Sequence, residues 1–153
     1  MFHIVLHQPE IPQNTGNIVR TCKATGSVLH LIEPLGYKLD DAKLKRAGLD
    51  YWHEMDIRIH KGWEDFLAKE CPGRFWLFTT KSDRPYTSAP YAKGDFLVYG
   101  RETAGLPDSI LRAYPGSCLR IPMLPGIRSL NLSNSVALSL YEALRATGFE
   151  GLI

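Results

Sequence analysis

Three short segments of this chain carry most of the residues able to do chemistry. Asn14-Thr-Gly-Asn17-Ile-Val-Arg20 opens a helix directly after a strand. Asn14 can cap that helix, a helix N-terminus attracts anions, and Asn17 and Arg20, three apart, share one helix face. The pattern suits a phosphate or ribose contact with a forked Arg donor; an ordinary cap and a surface Arg would look the same. Gly100-x-Glu102-x-x-Gly105 is a glycine-rich turn holding one carboxylate. Its glycines permit close approach of a ligand, and Glu102 would face a hydroxyl or a cation; a plain strand-to-helix turn ahead of Pro107 is the alternative. Ser129-Leu-Asn131-Leu-Ser133-Asn134 precedes a final helix that is apolar almost all round. One helix needs one cap, and four small polar residues in six exceed that need, so ligand contact is the reading for this loop.

Other groups fit ordinary roles. Tyr141 on the last helix reads as a core tyrosine with a satisfied hydroxyl, and Trp52, Trp63 and Trp76 read as core. His3 and His7 share a strand face but stand about 13 Å apart at strand rise. His30, His53 and His60 have no carboxylate or cysteine at ligand spacing, so no metal site is expected. Lys38, Lys43, Lys45 and Arg46, with Lys81 and Arg84, could meet an RNA backbone or form a solvated face. G-x-G-x-x-G, G-x-S-x-G and G-x-x-x-x-G-K-[ST] do not occur.

The elements that must position these segments alternate. Short apolar runs begin near Phe2, Val28, Met55, Arg74, Asp95 and Cys118. Helical stretches follow at Asn14–Thr25, Tyr37–Ala47, Trp63–Glu70, Leu106–Tyr114 and after Asn134. Repeated strand–helix alternation predicts an α/β fold with a mostly parallel sheet and helices on both faces. Binding sites in such sheets lie beyond the carboxyl ends of strands. Phe78-Thr79-Thr80, Gly100 to Gly105 and Ile121-Pro-Met123 to Asn134 all fall there, which points to one shared site. The chain has 153 residues, 44% hydrophobic and 22% charged, with net charge +2. That suits one domain and gives no nucleic-acid signature by charge alone. Three scattered cysteines, no apolar span of membrane length and no signal sequence predict a cytoplasmic protein without disulfides.

Together the three segments resemble the motifs of the SPOUT class, the trefoil-knot RNA methyltransferases. Within that class the chain is most similar to the single-domain family that methylates the 2′-OH of the wobble nucleotide in tRNA. Pro9-Glu-Ile-Pro12, Glu33-Pro34, Arg46-Ala-Gly-Leu-Asp-Tyr51 and Leu77-Phe-Thr-Thr-Lys81 add to the likeness, which spans nearly the whole chain. The resemblance implies a C-terminal knot, which periodicity does not indicate and topology rules disfavour. It implies S-adenosylmethionine held by Phe78, Gly100, Glu102, Gly105, Ile121, Met123, Ser129 and Leu130. It implies Arg20 and Tyr141 at the catalytic centre, with Asn14, Asn17, Arg46 and Asn134 toward the RNA. It also implies a homodimer acting on the tRNA anticodon stem-loop without a metal. The second motif departs from the family's usual Gly-Pro-Glu-Thr-Arg-Gly, with Arg101 for the proline and Ala104 for the arginine. The runner-up reading is methylation of ribosomal RNA or another tRNA position, or a non-catalytic RNA-binding module.

Overall fold

Six strands form a single, wholly parallel sheet in the computed structural model, which describes residues 1–39, 42, 46, 52 and 54–153. The strands are β1 (His3–His7), β2 (Val28–Ile32), β3 (Ile57–His60), β4 (Phe75–Phe78), β5 (Phe96–Tyr99) and β6 (Cys118–Leu119). Their spatial order is β3-β2-β1-β5-β4-β6. The chain winds outward from β1 through β2 to β3, crosses to β4, returns inward to β5 and ends outside at β6. The winding direction therefore reverses between β1 and β5, which pair directly. A crevice opens at that point, beyond the carboxyl ends of the two strands.

Four α-helices of the described residues cover the sheet: α1 (Pro12–Thr25), α2 (Trp63–Glu70), α3 (Asp108–Ala113) and α4 (Leu132–Ala146). The strands read as continuous apolar runs because both of their faces are covered. Ile4, Leu6, Leu29, Leu31 and Leu97 point to one side, where they pack with Ile18 and Val19 of α1 and Val136 and Leu140 of α4. Val5, Ile32, Leu77, Phe96 and Val98 point to the other, against Phe66 of α2 and Ile110 and Leu111 of α3. Each fully buried aliphatic chain contributes about 1.5–3 kcal/mol relative to exposure. The predicted helices on both faces are thus present.

Several boundaries move. The final helix begins at Leu132, inside the polar segment, because the Asn131 side chain accepts from Ser133 and Asn134 N–H and so acts as its cap. Strand β6 has only two residues, and the ladder continues as an isolated bridge from Arg120 to Pro85. The helix predicted at Tyr37–Ala47 and the cations Lys43 and Lys45 lie largely outside the described residues; Arg46 itself is helical and exposed.

Candidate active site

The loops after β4, β5 and β6, together with the start of α1, enclose a cleft of about 490 Å3. Phe78, Gly100, Glu102, Gly105, Ile121, Met123, Ser129 and Leu130 all line it, as does Asn14. The cleft floor is aromatic. Tyr99 stacks on Phe78 with centroids 4.8 Å apart, and its hydroxyl meets Ser139 of α4 at 2.5 Å. Burial pushes the Tyr99 phenol well above its ordinary range, so it stays protonated.

The Gly100–Gly105 turn is closed on itself. Arg101 N–H donates to the Gly105 carbonyl at 3.2 Å, and Gly105 N–H returns a bond to Arg101 at 2.9 Å. Gly105 adopts φ 68°, which favours glycine. A Cβ on Gly100 would stand 2.0 Å from the Gly105 carbonyl carbon, so no side chain fits there.

Glu102 lines the cleft, and its carboxylate is engaged by groups of its own chain, which the sequence did not indicate. Its carboxylate accepts from Glu10 N–H at 2.8 Å, from Ile11 N–H at 3.1 Å and from the Asn14 amide at 3.1 Å. The Glu10 carboxylate answers by accepting from the Thr103 N–H and hydroxyl. Two loops about ninety residues apart are thus clasped reciprocally. The clasp also places a negative charge at the N-terminus of α1, the favourable end of its dipole. The anion drawn to that terminus is the protein's own.

Asn14 is likewise not a cap. Helix α1 starts two residues earlier at Pro12, with Ile11 as N-cap and no side-chain cap bond. Asn14 is 5% exposed. It donates to Glu102 and accepts from the Asn131 amide at 3.0 Å. One asparagine therefore ties together the first, second and third motifs, because proline at the first helical position frees it from capping.

Arg20, Asn17, Asn134 and Tyr141 are exposed and do not line the cleft of their own chain. Tyr141 is 46% exposed, so it is not the core tyrosine that its apolar neighbours suggested. It shares an exposed face of α4 with Asn134 and Leu138, at helical spacing. Arg46 also lies off the cleft lining. Arg84 is tied down, donating to the Gly116 carbonyl at 3.0 Å and lying 5.1 Å over the Trp76 ring. Trp76 itself is buried, and Trp63 is half-buried in the second core, as expected.

Sequence reasoning missed Ile11, Thr103 and Arg128 in the lining. Arg128 is adjacent to Ser129, but loops have no periodicity that would assign its direction. With Lys81 and Arg101 it gives the cleft three cations, while the Glu102 carboxylate is engaged in the clasp. Arg101 bonds the Gln8 side chain at the end of β1, so the charge displaced from the usual motif sits at the switch point. The histidine expectation also needs correction. Glu70 stands against both His30 and His60, a proximity that chain spacing cannot reveal.

A sheet that reverses its winding at β1 and β5, with a glycine turn, a capped polar loop and three cations in the lining at that reversal, defines an α/β protein with a cleft at its switch point. The family model described as the SpoU rRNA Methylase family matches residues 1–141, and the chain belongs to that family. It is 50% identical over 154 residues to a tRNA (cytidine(34)-2′-O)-methyltransferase of Burkholderia ambifaria, covering 99% of each chain. A solved structure concerned with 2-OH methylation of C/U34 on tRNA is 44% identical, with TM-score 0.92 and 98% of each chain covered. The AdoMet-bound rRNA methyltransferase of Sinorhizobium meliloti is 26% identical with TM-score 0.83, over 94% of this chain and 56% of that one.

Proposed function

We propose that this protein transfers a methyl group from S-adenosylmethionine to the ribose 2′-OH of the wobble nucleotide, position 34, in tRNA anticodon loops. The observation that carries the reading is full-length identity of one half to a tRNA (cytidine(34)-2′-O)-methyltransferase. The cleft supports it, because its volume falls in the range of small-molecule sites. Its chemistry fits the cosubstrate: Leu106, Ile121, Met123 and Leu130 offer apolar walls for a base, while Ser129, Thr79 and exposed backbone offer polar contacts. When bound, S-adenosylmethionine supplies an electrophilic sulfonium methyl.

The chain's own residues then orient and polarise. Phe78, Gly100, Gly105, Ile121, Met123, Ser129 and Leu130 hold the cosubstrate. Glu102 contributes by fixing the turn rather than by direct contact. Arg20 binds the phosphate beside the acceptor ribose and stabilises oxyanion character as the hydroxyl proton leaves. Asn17 orients Arg20, while Tyr141 positions the ribose. The one carboxylate in the cleft lining, Glu102, is engaged by three donors of its own chain, and no histidine among the described residues lines the cleft; proximity and preorganisation supply most of the acceleration.

Arg20 and Tyr141 lie off the cleft of their own chain, and this favours a homodimer in which each subunit completes its partner's site. The exposed Leu138 and Tyr141 on α4 support such pairing. The polar loop and α4 would form the C-terminal trefoil knot, and Arg46 and Asn134 would face RNA. We place the enzyme in the cytoplasm as a single catalytic domain; its three cysteines are all free, and no described helix is long and apolar enough to cross a membrane.

The test is incubation with methyl-labelled S-adenosylmethionine and bulk tRNA or ribosomal RNA, followed by nuclease digestion. Label in a 2′-O-methylated nucleotide from tRNA position 34 is expected. Label confined to ribosomal RNA, or cosubstrate binding without transfer to either RNA, would overturn the reading.

A further inference from the structure

A second constellation lies on the α2 face of the sheet, and none of its residues lines the cleft. His30 in β2, His60 at the end of β3 and Glu70 at the end of α2 converge there. His30 Nδ1 and His60 Nε2 are 3.1 Å apart. Glu70 Oε1 stands 3.8 Å from the first and 3.7 Å from the second. Those separations are long for hydrogen bonds from either ring to the carboxylate. They are close to the spacing of neighbouring ligands on a tetrahedral ion, about 3.3 Å for bonds of 2.0–2.1 Å. The equidistant point in the plane of the three atoms lies about 2.1 Å from each, and an ion displaced from that plane toward a fourth, tetrahedral ligand lies about 2.2 Å from each, close to zinc bonded to imidazole nitrogen and carboxylate oxygen.

The surroundings support His30 and Glu70, whereas His60 Nδ1 is buried without a partner among the described residues. His3 Nδ1 meets His30 Nε2 at 3.0 Å, an outer partner able to fix the His30 tautomer. Arg58 holds the other Glu70 oxygen at 2.7 Å and is itself bonded to Asp56. Phe66 packs edge-on against both imidazoles. His30 and His60 are almost fully buried, whereas Glu70 retains some exposure and marks the entry side.

We propose that His30, His60 and Glu70 form a binding site for a borderline divalent transition ion of the Zn2+ class. Two imidazoles and one carboxylate favour Zn2+, Ni2+ or Co2+ over the oxygen-seeking Ca2+ and Mg2+. On binding, the His30–His60 hydrogen bond is exchanged for two nitrogen–metal bonds. The rings stay neutral, with protons on His30 Nε2, donated to His3, and on His60 Nδ1. Water fills the fourth position. The site joins β2, the short edge strand β3 and α2, so its role is to staple that edge rather than to take part in methyl transfer.

The test uses full-length protein freed of metal by a chelator and then titrated with Zn2+ by calorimetry. Cys71→Ser serves as the background, because the exposed Cys71 thiol adjoins Glu70. One equivalent should bind, and at a hundredfold excess over Kd the Tm should rise by about 5–10 °C. Glu70→Gln and His60→Asn should each weaken binding at least about 100-fold. Where a variant fails to fold, the Co2+-loaded parent decides: tetrahedral d–d bands with two imidazoles counted by X-ray absorption are expected. No stoichiometric uptake, loss of binding with Cys71→Ser, binding unchanged in Glu70→Gln, or an all-oxygen octahedral spectrum would each overturn the proposal. Because the readout is metal binding, it stands or falls independently of methyl transfer.

Discussion

Two carboxylates bracket β5, and they solve the same problem for different ends. Asp95, just before the strand, is 3% exposed. It accepts from Arg74 Nε at 2.8 Å, Trp76 Nε1 at 2.9 Å and Ala92 N–H at 3.0 Å. Glu102, just after the strand, also takes three donors, but all come from residues 10 to 14. Asp95 joins residues 3 to 21 positions away at the amino end of the sheet, and it does not line the cleft. Glu102 joins the first motif to the second at the carboxyl end, and it does. A fully satisfied carboxylate is therefore no sign of function by itself; what matters is whether the groups it holds line the site.

Substitutions at and around the two carboxylates should separate their roles. The largest effect is expected from Gly100→Ala, since the added carbon would collide with backbone rather than with a movable side chain. Opening that turn should cost about 3 kcal/mol, or roughly 100-fold in cosubstrate affinity, measured by calorimetry. Binding close to the parent's would show that the turn does not shape the site. Asp95→Ala should cost about 3 kcal/mol of stability, because Trp76 Nε1–H and Arg74 lose a buried acceptor. Denaturant unfolding reads this loss, while the folded fraction should bind S-adenosylmethionine with unchanged Kd.

Glu102→Gln should show the opposite profile. The amide turns one acceptor into a donor that faces backbone N–H groups. About 1–2 kcal/mol of stability goes, but cosubstrate affinity should fall at least about tenfold. A variant that lost stability alone would make Glu102 a second Asp95. Asn14→Ala should be milder, near 1 kcal/mol, lost from the link between Glu102 and Asn131. Arg20→Ala should leave stability and cosubstrate Kd within about twofold while kcat falls sharply, consistent with an exposed residue acting on RNA. Loss of cosubstrate binding in that variant would remove Arg20 from the acceptor side.

How much of this was legible in the sequence depends on the range of each interaction. The parallel α/β sheet followed from alternating apolar runs, and the helix expected at Trp63–Glu70 emerged with those bounds. The cleft lining was readable because three strand ends were chemically marked and strand ends converge in a parallel sheet. Partners distant in sequence were not readable. Glu102 looked like a ligand-facing acid because its donors lie some ninety residues away, and Asn14 looked like a cap because Pro12 already started the helix. His30, His60 and Glu70 carry no motif spacing; three separate elements bring them together. Tyr141 looked buried because its helix neighbours are apolar, yet its face of α4 has no covering element among the described residues.

Ribose methylation at the wobble position is tested with two synthetic tRNA anticodon stem-loops, one with an ordinary ribose at position 34 and one with 2′-deoxyribose there. The expected result is stoichiometric methyl transfer to the first and none to the second, with label recovered as 2′-O-methylated nucleotide 34. Equal labelling of both, or label on a base, would contradict ribose methylation at the wobble position.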